Sequence, residues 1–276
     1  MTDKPMGNGT SFETFHTPCG LTIAHLNRAE TEFVYGEVFR DEAYLRHGIR
    51  LAPGDCVFDV GANIGLFTLF VKERFTETRV WAFEPSPEIF AVLKTNVERY
   101  GNSVHVYPFG IAHEPGQAKF TYYPAYSIIS GFHPSAEADA DAVRAGFLND
   151  WHARFPEEGD PPAFLVDALV RKTLGGKREY DCALRTISGM LRDTGVSRLA
   201  LLKIDAEGSE LQILTGVEPG DWPKIRQIVM EIHDADGTRL PQIRQILERQ
   251  RFACVFQSRG KLETAGIVNC YACQVG

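Results

Sequence analysis

The clearest signal along the chain is an alternation of short apolar runs with stretches of helical periodicity. A compact apolar run at 55–60 sits between Pro53-Gly54 and Gly61, and it predicts a buried strand. Apolar residues at helical spacing follow over 64–74, and a second apolar run at 79–83 predicts a second strand. Residues 86–100 read as a helix: Ser86 can cap it, Pro87 suits its first turn and Gly101 ends it. A third strand is expected over 104–109. Further on, 186–194 reads as helix, 199–204 as strand, 209–215 as a short helix, 225–232 as strand and 240–249 as helix. Two last strands, 253–257 and 267–275, are expected to be joined by a Gly-containing turn. Alternating strand and helix implies a parallel sheet, here closed by an antiparallel hairpin.

Two regions depart from this rhythm. Near the start, 12–24 reads as a hairpin around Pro18 and Gly20. Over 30–46, Phe33, Tyr35, Phe39 and Tyr44 stand among acids, a helical or looped lead-in that either covers a ligand or simply packs. The second departure is longer. Residues 119–123 suit a strand, then YYPAYSIISGFHP forms a loop, and helical patterns follow at 136–151 and 162–174 around the turn-rich PEEGDPP. About sixty residues are too many for an ordinary crossover. The expected organisation is therefore a lead-in at 1–50, an α/β core at 51–118 and 181–276, and an insertion at 119–180 that covers the site. Tyr122, Tyr123, Tyr126, Phe132, Phe147, Trp151 and Phe155 make the insertion aromatic, either to receive a large acceptor or to pack it onto the sheet.

Composition narrows the class. The 276 residues are long enough for one sizeable core, and 44% hydrophobic with 24% charged is ordinary for a globular protein. A net charge of -7 argues against a broad nucleic-acid footprint, which needs a basic surface. No apolar run approaches the roughly 18 residues of a membrane span. Residues 1–10 are polar with Gly and Pro and lack a signal-peptide pattern, so a disordered start and a cytoplasmic protein are expected. Of six cysteines only Cys270 and Cys273 form a C-x-x-C, without a second ligand pair for zinc. Three apart on a strand they face opposite ways, and they read as structural thiols.

The candidate chemistry begins at DVGANIG, residues 59–65, between a predicted strand and helix. Gly61 and Gly65 allow a tight turn and close approach of a ligand. The next helix N-terminus offers unpaired N–H groups. Asp59, two residues before the first glycine, can hold a cationic amino-acid group. Glu84 in AFEP stands at the tip of the second strand, where an acid can accept both ribose hydroxyls. The spacing is not the G-x-G-x-x-G of nicotinamide sites.

VFDVGANIGLFTLF, AFEPSPEIFAVLKTNV and LLKIDAEGSELQILTGV resemble the signature blocks of the FkbM-type methyltransferases, over roughly residues 51–276 apart from the insertion. The resemblance implies a class I, Rossmann-like seven-stranded sheet, S-adenosylmethionine as cofactor with S-adenosylhomocysteine as product, and methyl transfer to an oxygen of a sugar, lipid or polyketide. It implies that Asp59, Gly61, Ala62, Asn63 and Gly65 line the methionine end and that Glu84, with Pro85 and Ser86, serves the ribose. The loop after the third strand, Gly110 and Ile111, would contact adenine, although the acid often found there is absent. YYPAYSIISGF is similar to a stretch in members that tailor polyketide or peptide assembly-line products. The acceptor would be a small-molecule or carrier-bound hydroxyl.

An alcohol becomes a good nucleophile only as its proton leaves, so the reaction calls for a general base. KIDAEGSE sets Lys203, Asp205, Glu207 and Glu210 after the fourth strand, and VMEIHD sets Glu231, His233 and Asp234 at the end of the fifth. Ligands of open α/β sheets bind at these carboxyl ends. His233 has an ordinary pKa near ~6.5 and suits the base, with Glu207 or Glu231 orienting its ring. Asp205 belongs to the same group. Tyr126, Ser130, Phe132 and His133 are candidate acceptor contacts. Oxygen ligands at Asp205, Glu207 and Asp234 also suit Mg²⁺, but without an adjacent acidic pair no metal is expected. The competing readings are transfer to nitrogen or carbon, with the missing N-P-P-Y motif weighing against amide or base nitrogen, a nicotinamide oxidoreductase, and a non-catalytic protein keeping the cofactor fold.

Overall fold

A computed structural model describes residues 12–234, 236–258 and 266–275. The chain opens with strands β1 (Glu13–His16) and β2 (Thr22–His25), helix α1 (Arg28–Tyr35) and one turn of π-helix (Gly36–Arg40). Next come β3 (Cys56–Val60), α2 (Leu66–Arg74), β4 (Arg79–Phe83), α3 (Pro87–Val97), β5 (Val104–Tyr107), β6 (Gly110–Ile111) and β7 (Gly116–Tyr122). Helices α4 (Ala136–Arg154) and α5 (Ala163–Gly175) precede β8 (Arg178–Arg185), α6 (Ile187–Thr194), β9 (Leu201–Ile204) and α7 (Glu210–Thr215). The chain finishes with β10 (Gln227–His233), α8 (Arg239–Arg249), β11 (Phe252–Ser258) and β12 (Ile267–Gln274).

Seven strands form one sheet in the order β11-β12-β10-β9-β3-β4-β5. Strands β10, β9, β3, β4 and β5 run parallel, and β12 lies antiparallel between β10 and β11. This is the mostly parallel sheet with a terminal antiparallel hairpin that the pattern predicts, and the Rossmann-like seven-stranded α/β sheet that the resemblance implies. The last strand takes the inner position. The expected hairpin turn falls mainly on 259–265, and the polar start falls on 1–10; both lie outside the described residues.

Period-two alternation divides each central strand between two cores. Val57, Val80, Leu201 and Val229 face α2 and α3, while Phe58, Trp81, Leu202, Met230 and Ile232 face α6, α7 and α8. Removing a buried ring such as Phe58 costs about 3–5 kcal/mol. The same alternation carries Asp59, Lys203, Glu231 and His233 onto the α2 side, at the carboxyl ends of β3, β9 and β10. Polar residues therefore interrupt the apolar rows just where the sheet edge opens.

Three details differ from the sequence expectation. Ser86 occupies the cap position of α3 but makes no capping hydrogen bond, and its Oγ is buried without a partner among the described atoms. Gly101 sits inside a 3-10 turn that extends the helix to Ser103. Strand β8 was not expected. It pairs antiparallel with β7 and parallel with β6 in a separate three-stranded sheet. Its signal is the spacing of Tyr180, Cys182 and Leu184, diluted by four charged residues. Helices α4 and α5 lie between β7 and β8 in the chain.

Candidate active site

The glycine loop is held from below before it can hold a ligand. Gly61 has φ +70°, and a Cβ there would overlap the carbonyl oxygen of Asp205. Gly65 has φ +92°, and its Cβ would lie 2.7 Å from Leu93 Cδ1. Left-handed backbone and tight packing thus both require glycine at these positions. Asn63 is also left-handed, with φ 50°. Its amide donates to Glu84 Oε2 at 3.0 Å, and the Ser86 amide donates to Glu84 Oε1 at 2.9 Å. Burial pushes the Glu84 carboxyl up to about 7, against those two amide bonds. Each oxygen keeps a second lone pair for another donor. Pro85 follows, half-buried, with its carbonyl taken by the Cys182 thiol at 3.3 Å.

Asp59 is fully buried. Its Oδ2 accepts from Thr68 Oγ1 at 2.7 Å, and its Oδ1 lies 3.1 Å from Lys203 Nζ. The register explains the meeting, because Asp59 on β3 stands opposite Lys203 on β9. Lys203 directs its hydrogen bond to the Gly61 carbonyl at 2.8 Å, so the contact with Asp59 is chiefly ionic. Burial opposes the lysine charge, but Asp59 and Asp205 outweigh it and raise the lysine pKa. The Asp59 charge is therefore matched within the protein. Asp205 accepts from Tyr44 Oη at 2.9 Å, which brings the lead-in segment onto the site.

Beside this pair stands a cluster with more acid than base. His233 Nδ1 lies 3.0 Å from Glu210 Oε1, while its Nε2 lies 3.2 Å from Glu207 Oε2 and 3.7 Å from Glu231 Oε1. Burial disfavours the imidazolium, but the charges of Glu207, Glu210 and Glu231 overcome it and hold the ring's pKa well above its ordinary value. Burial, aided by Asp205, Glu231 and Glu210, pushes Glu207 up to about 8 against the pull of His233. The neutral-pH imidazole expected from the sequence is thus replaced by a ring and carboxylate that share protons. The ring is gripped at Nδ1 by Glu210, rather than oriented by Glu207 or Glu231 alone. Glu210 is completely buried and also accepts the Gly208 amide at 2.9 Å. Asp234 points elsewhere: its two oxygens accept the Arg239 and Leu240 amides at the start of α8. Among the described residues, no group of three or more His, Cys, Asp or Glu side chains is arranged to hold a metal ion. All six cysteines are free, with Cys270 buried and Cys273 partly exposed on the other face of β12.

Residues 59–254 match the family described as methyltransferase FkbM domain. The chain is 40% identical over 243 residues to the 31-O-demethyl-FK506 methyltransferase FkbM of Streptomyces tacrolimicus, covering 88% of this chain and 90% of that protein. The chain belongs to the FkbM methyltransferase family. Another relative, the AMB antimetabolite synthetase AmbE of Pseudomonas aeruginosa, is 37% identical over 94% of this chain, which spans only 12% of that much longer protein. The methyltransferase sdnD of Sordaria araneosa is 30% identical over 84% of this chain and 86% of its own length.

In this FkbM-family enzyme the loop at 123–132 reaches the ionic cluster at Glu207. A Cβ on Gly131 would sit 3.2 Å from Glu207 Cβ, so loop and cluster touch. Tyr126 lies near enough to Glu207 and Glu30 for their charges to join burial in pushing its phenol up to about 12. Ser130 is buried, and its Oγ accepts the Tyr123 amide at 3.0 Å. Phe132 packs edge-on against Phe120 with ring centres 5.0 Å apart and covers Gly110, whose Cβ would meet it at 2.6 Å. Ile111 is buried in the core. The strand β6 that holds both residues is thus roofed by an aromatic ring. His133 is exposed and bonded to Gln212 at 3.0 Å. Trp151 contacts Phe147 on α4 and Phe155 just beyond its end, with ring centres 6.2 and 4.7 Å apart. Among the described residues, no helix is long and apolar enough to cross a membrane.

Sequence reasoning gave no role to Glu30. It is buried on the first turn of α1 and accepts from Ser127 Oγ at 2.6 Å and from Asn27 Nδ2 at 3.1 Å. An acid in the first turn of a helix is too common to single out. Its distant partner is what marks it.

Proposed function

We propose that this enzyme transfers the methyl group of S-adenosylmethionine to a hydroxyl of a small natural-product acceptor of polyketide type, free or carrier-bound. The observation that carries the reading is the His233 cluster at the sheet edge. A hydroxyl must lose a proton as its oxygen attacks, and the cluster holds a proton-accepting group beside the glycine loop. The name of the relative from Streptomyces tacrolimicus, an O-demethyl-FK506 methyltransferase, supports the same acceptor atom.

The residues fit the cofactor. Ser86 Oγ is a buried hydroxyl without a partner, next to the Glu84 carboxylate, and together they suit the ribose hydroxyls. When bound, the cofactor supplies an electrophilic methyl on a sulfonium and leaves as S-adenosylhomocysteine. The chain's own work is alignment and proton transfer. The acceptor O–H faces Glu207, the most open carboxylate touching His233, with 28% of its side chain exposed. Its proton passes to the Glu207–His233 pair as the new C–O bond forms. Glu210 and Glu231 stabilise the imidazolium throughout. The loop at 123–132 limits water beside Glu207, and Tyr126 and Phe132 form its acceptor-facing side.

Incubation with S-adenosylmethionine labelled in its methyl group and a panel of hydroxylated polyketide, lipid and sugar acceptors tests this. Label should appear in an alkali-stable ether. Label found instead on nitrogen or carbon of the same acceptors would overturn the oxygen assignment.

A further inference from the structure

We propose that Glu30, rather than Asp59, receives the α-ammonium group at the methionine end of the cofactor. The inference rests on the reading that S-adenosylmethionine is the cofactor. The glycine loop implies a ligand with a cationic amino-acid end; besides Glu84, whose oxygens accept the Asn63 and Ser86 amides and suit the ribose, two buried carboxylates approach that loop. Asp59 is matched by Lys203 at 3.1 Å and by Thr68 at 2.7 Å, and it is sealed beneath the loop. Glu30 comes from α1. It shares with Leu26, Asn27, Asn63, Ile64 and Ser127 the lining of a small gap over the turn of the loop.

All the donors to Glu30 are neutral. The Ser127 amide reaches its two oxygens at 3.1 and 3.2 Å, Ser127 Oγ reaches it at 2.6 Å, and Asn27 Nδ2 at 3.1 Å. No Lys, Arg or His of the described residues contributes to its charge balance. Burial pushes its carboxyl up to about 7 in spite of those bonds. A buried acid satisfied only by neutral donors lacks the cation that would stabilise its ionised form. A primary ammonium in the gap supplies that cation and three donors. Asn27 fixes the geometry, because its Oδ1 caps α1 through the Ala29 and Glu30 amides while its Nδ2 faces the carboxylate. Ser127 brings the insertion loop to the same carboxylate, so the lead-in, the insertion and the glycine loop converge on one charge.

The test compares two ligands by calorimetry. S-adenosylhomocysteine carries the ammonium, and 5′-methylthioadenosine has the same nucleoside and thioether without the amino-acid part. Glu30→Gln should weaken S-adenosylhomocysteine by about ten- to a hundredfold, the range for a hydrogen bond to a charged group, and 5′-methylthioadenosine by less than about twofold. Equal weakening of both ligands, or an unchanged S-adenosylhomocysteine affinity, would overturn the assignment. Ser127→Ala removes the Oγ bond to Glu30 and keeps the carboxylate and the amide bonds of residue 127, so it should preserve the preference for S-adenosylhomocysteine over 5′-methylthioadenosine. Loss of that preference in Ser127→Ala would mean that Glu30 serves only to latch the loop. Wild-type protein that binds neither nucleoside would overturn the cofactor reading itself, an outcome distinct from these.

Discussion

At the end of β3, Asp59 faces a single cation, Lys203, in the buried interior. At the end of β10, the single cation His233 faces three carboxylates. Both sites lie on one face of one sheet, and alternation along neighbouring strands builds both. They differ in charge balance. In the first, the fully buried Asp59 charge has its own cation, which Asp205 also approaches at 3.8 Å, and the pair ties β3 to β9 beneath the glycine loop. In the second, acid exceeds base, so the group retains protons that ordinary carboxylates release. A matched buried pair holds structure together, whereas an unmatched cluster handles protons or cations. Glu30, a buried acid with neutral donors only, falls in the second class.

The largest effect should come from the unmatched site. Glu207→Gln or His233→Ala should lower turnover by about 10²–10⁴-fold, the usual loss for a general base, with cofactor affinity nearly unchanged. Turnover within about threefold of wild type in either variant would move the proton-accepting role to another group. Lys203→Met should act on stability instead. It leaves the Asp59 charge buried and unpaired, which costs about 3–5 kcal/mol, read from the urea midpoint. A loss below about 1 kcal/mol would mean that the pair is not structural, and the contrast between the two sites would collapse.

The smallest effect is graded with pH and separates the sites without mutation. In the folded protein Glu207 titrates at about 8 and Glu30 and Glu84 at about 7. Unfolded glutamates titrate near ~4.3. Between these values the folded state binds more protons than the unfolded state, so unfolding free energy falls as pH rises. The contribution is full below about 4 and lost as pH passes 7 to 8. Denaturation midpoints of the cofactor-free protein at pH 5, 6, 7 and 8 should decline, and the decline should be shallower in Glu207→Gln. A midpoint rising across this range would show that the carboxyls are not held protonated. Turnover should also rise with pH up to about 8, as Glu207 loses its proton.

Much of the sheet was legible in the sequence. The second core strand was expected at 79–83 and is found at Arg79–Phe83, because an apolar run between polar breakers satisfies its own backbone geometry locally. Strand β8 escaped because alternating residues on a small, partly exposed sheet carry charges that blur the period. The site was legible as a set of residues more than as a set of roles. KIDAEGSE and VMEIHD marked the strand ends, and the structure brings Glu207, Glu231 and His233 within ion-pair distance. Asp234 proves to cap α8, and Glu210, noted only as a neighbour, grips the ring. Such roles depend on where side chains from distant strands aim.

Sequence alone determined the alternation of strand and helix, the glycine turn at 59–65 and the acids at the strand ends. These features are set within a few residues by periodicity, backbone freedom and charge. Tertiary structure alone decided that Gly61 must clear the Asp205 carbonyl, that Asp59 is matched by Lys203, and that Glu30 meets Ser127 over the glycine loop. Charge balance and close packing are sums over neighbours far apart in the chain, and only the folded sheet brings those neighbours together.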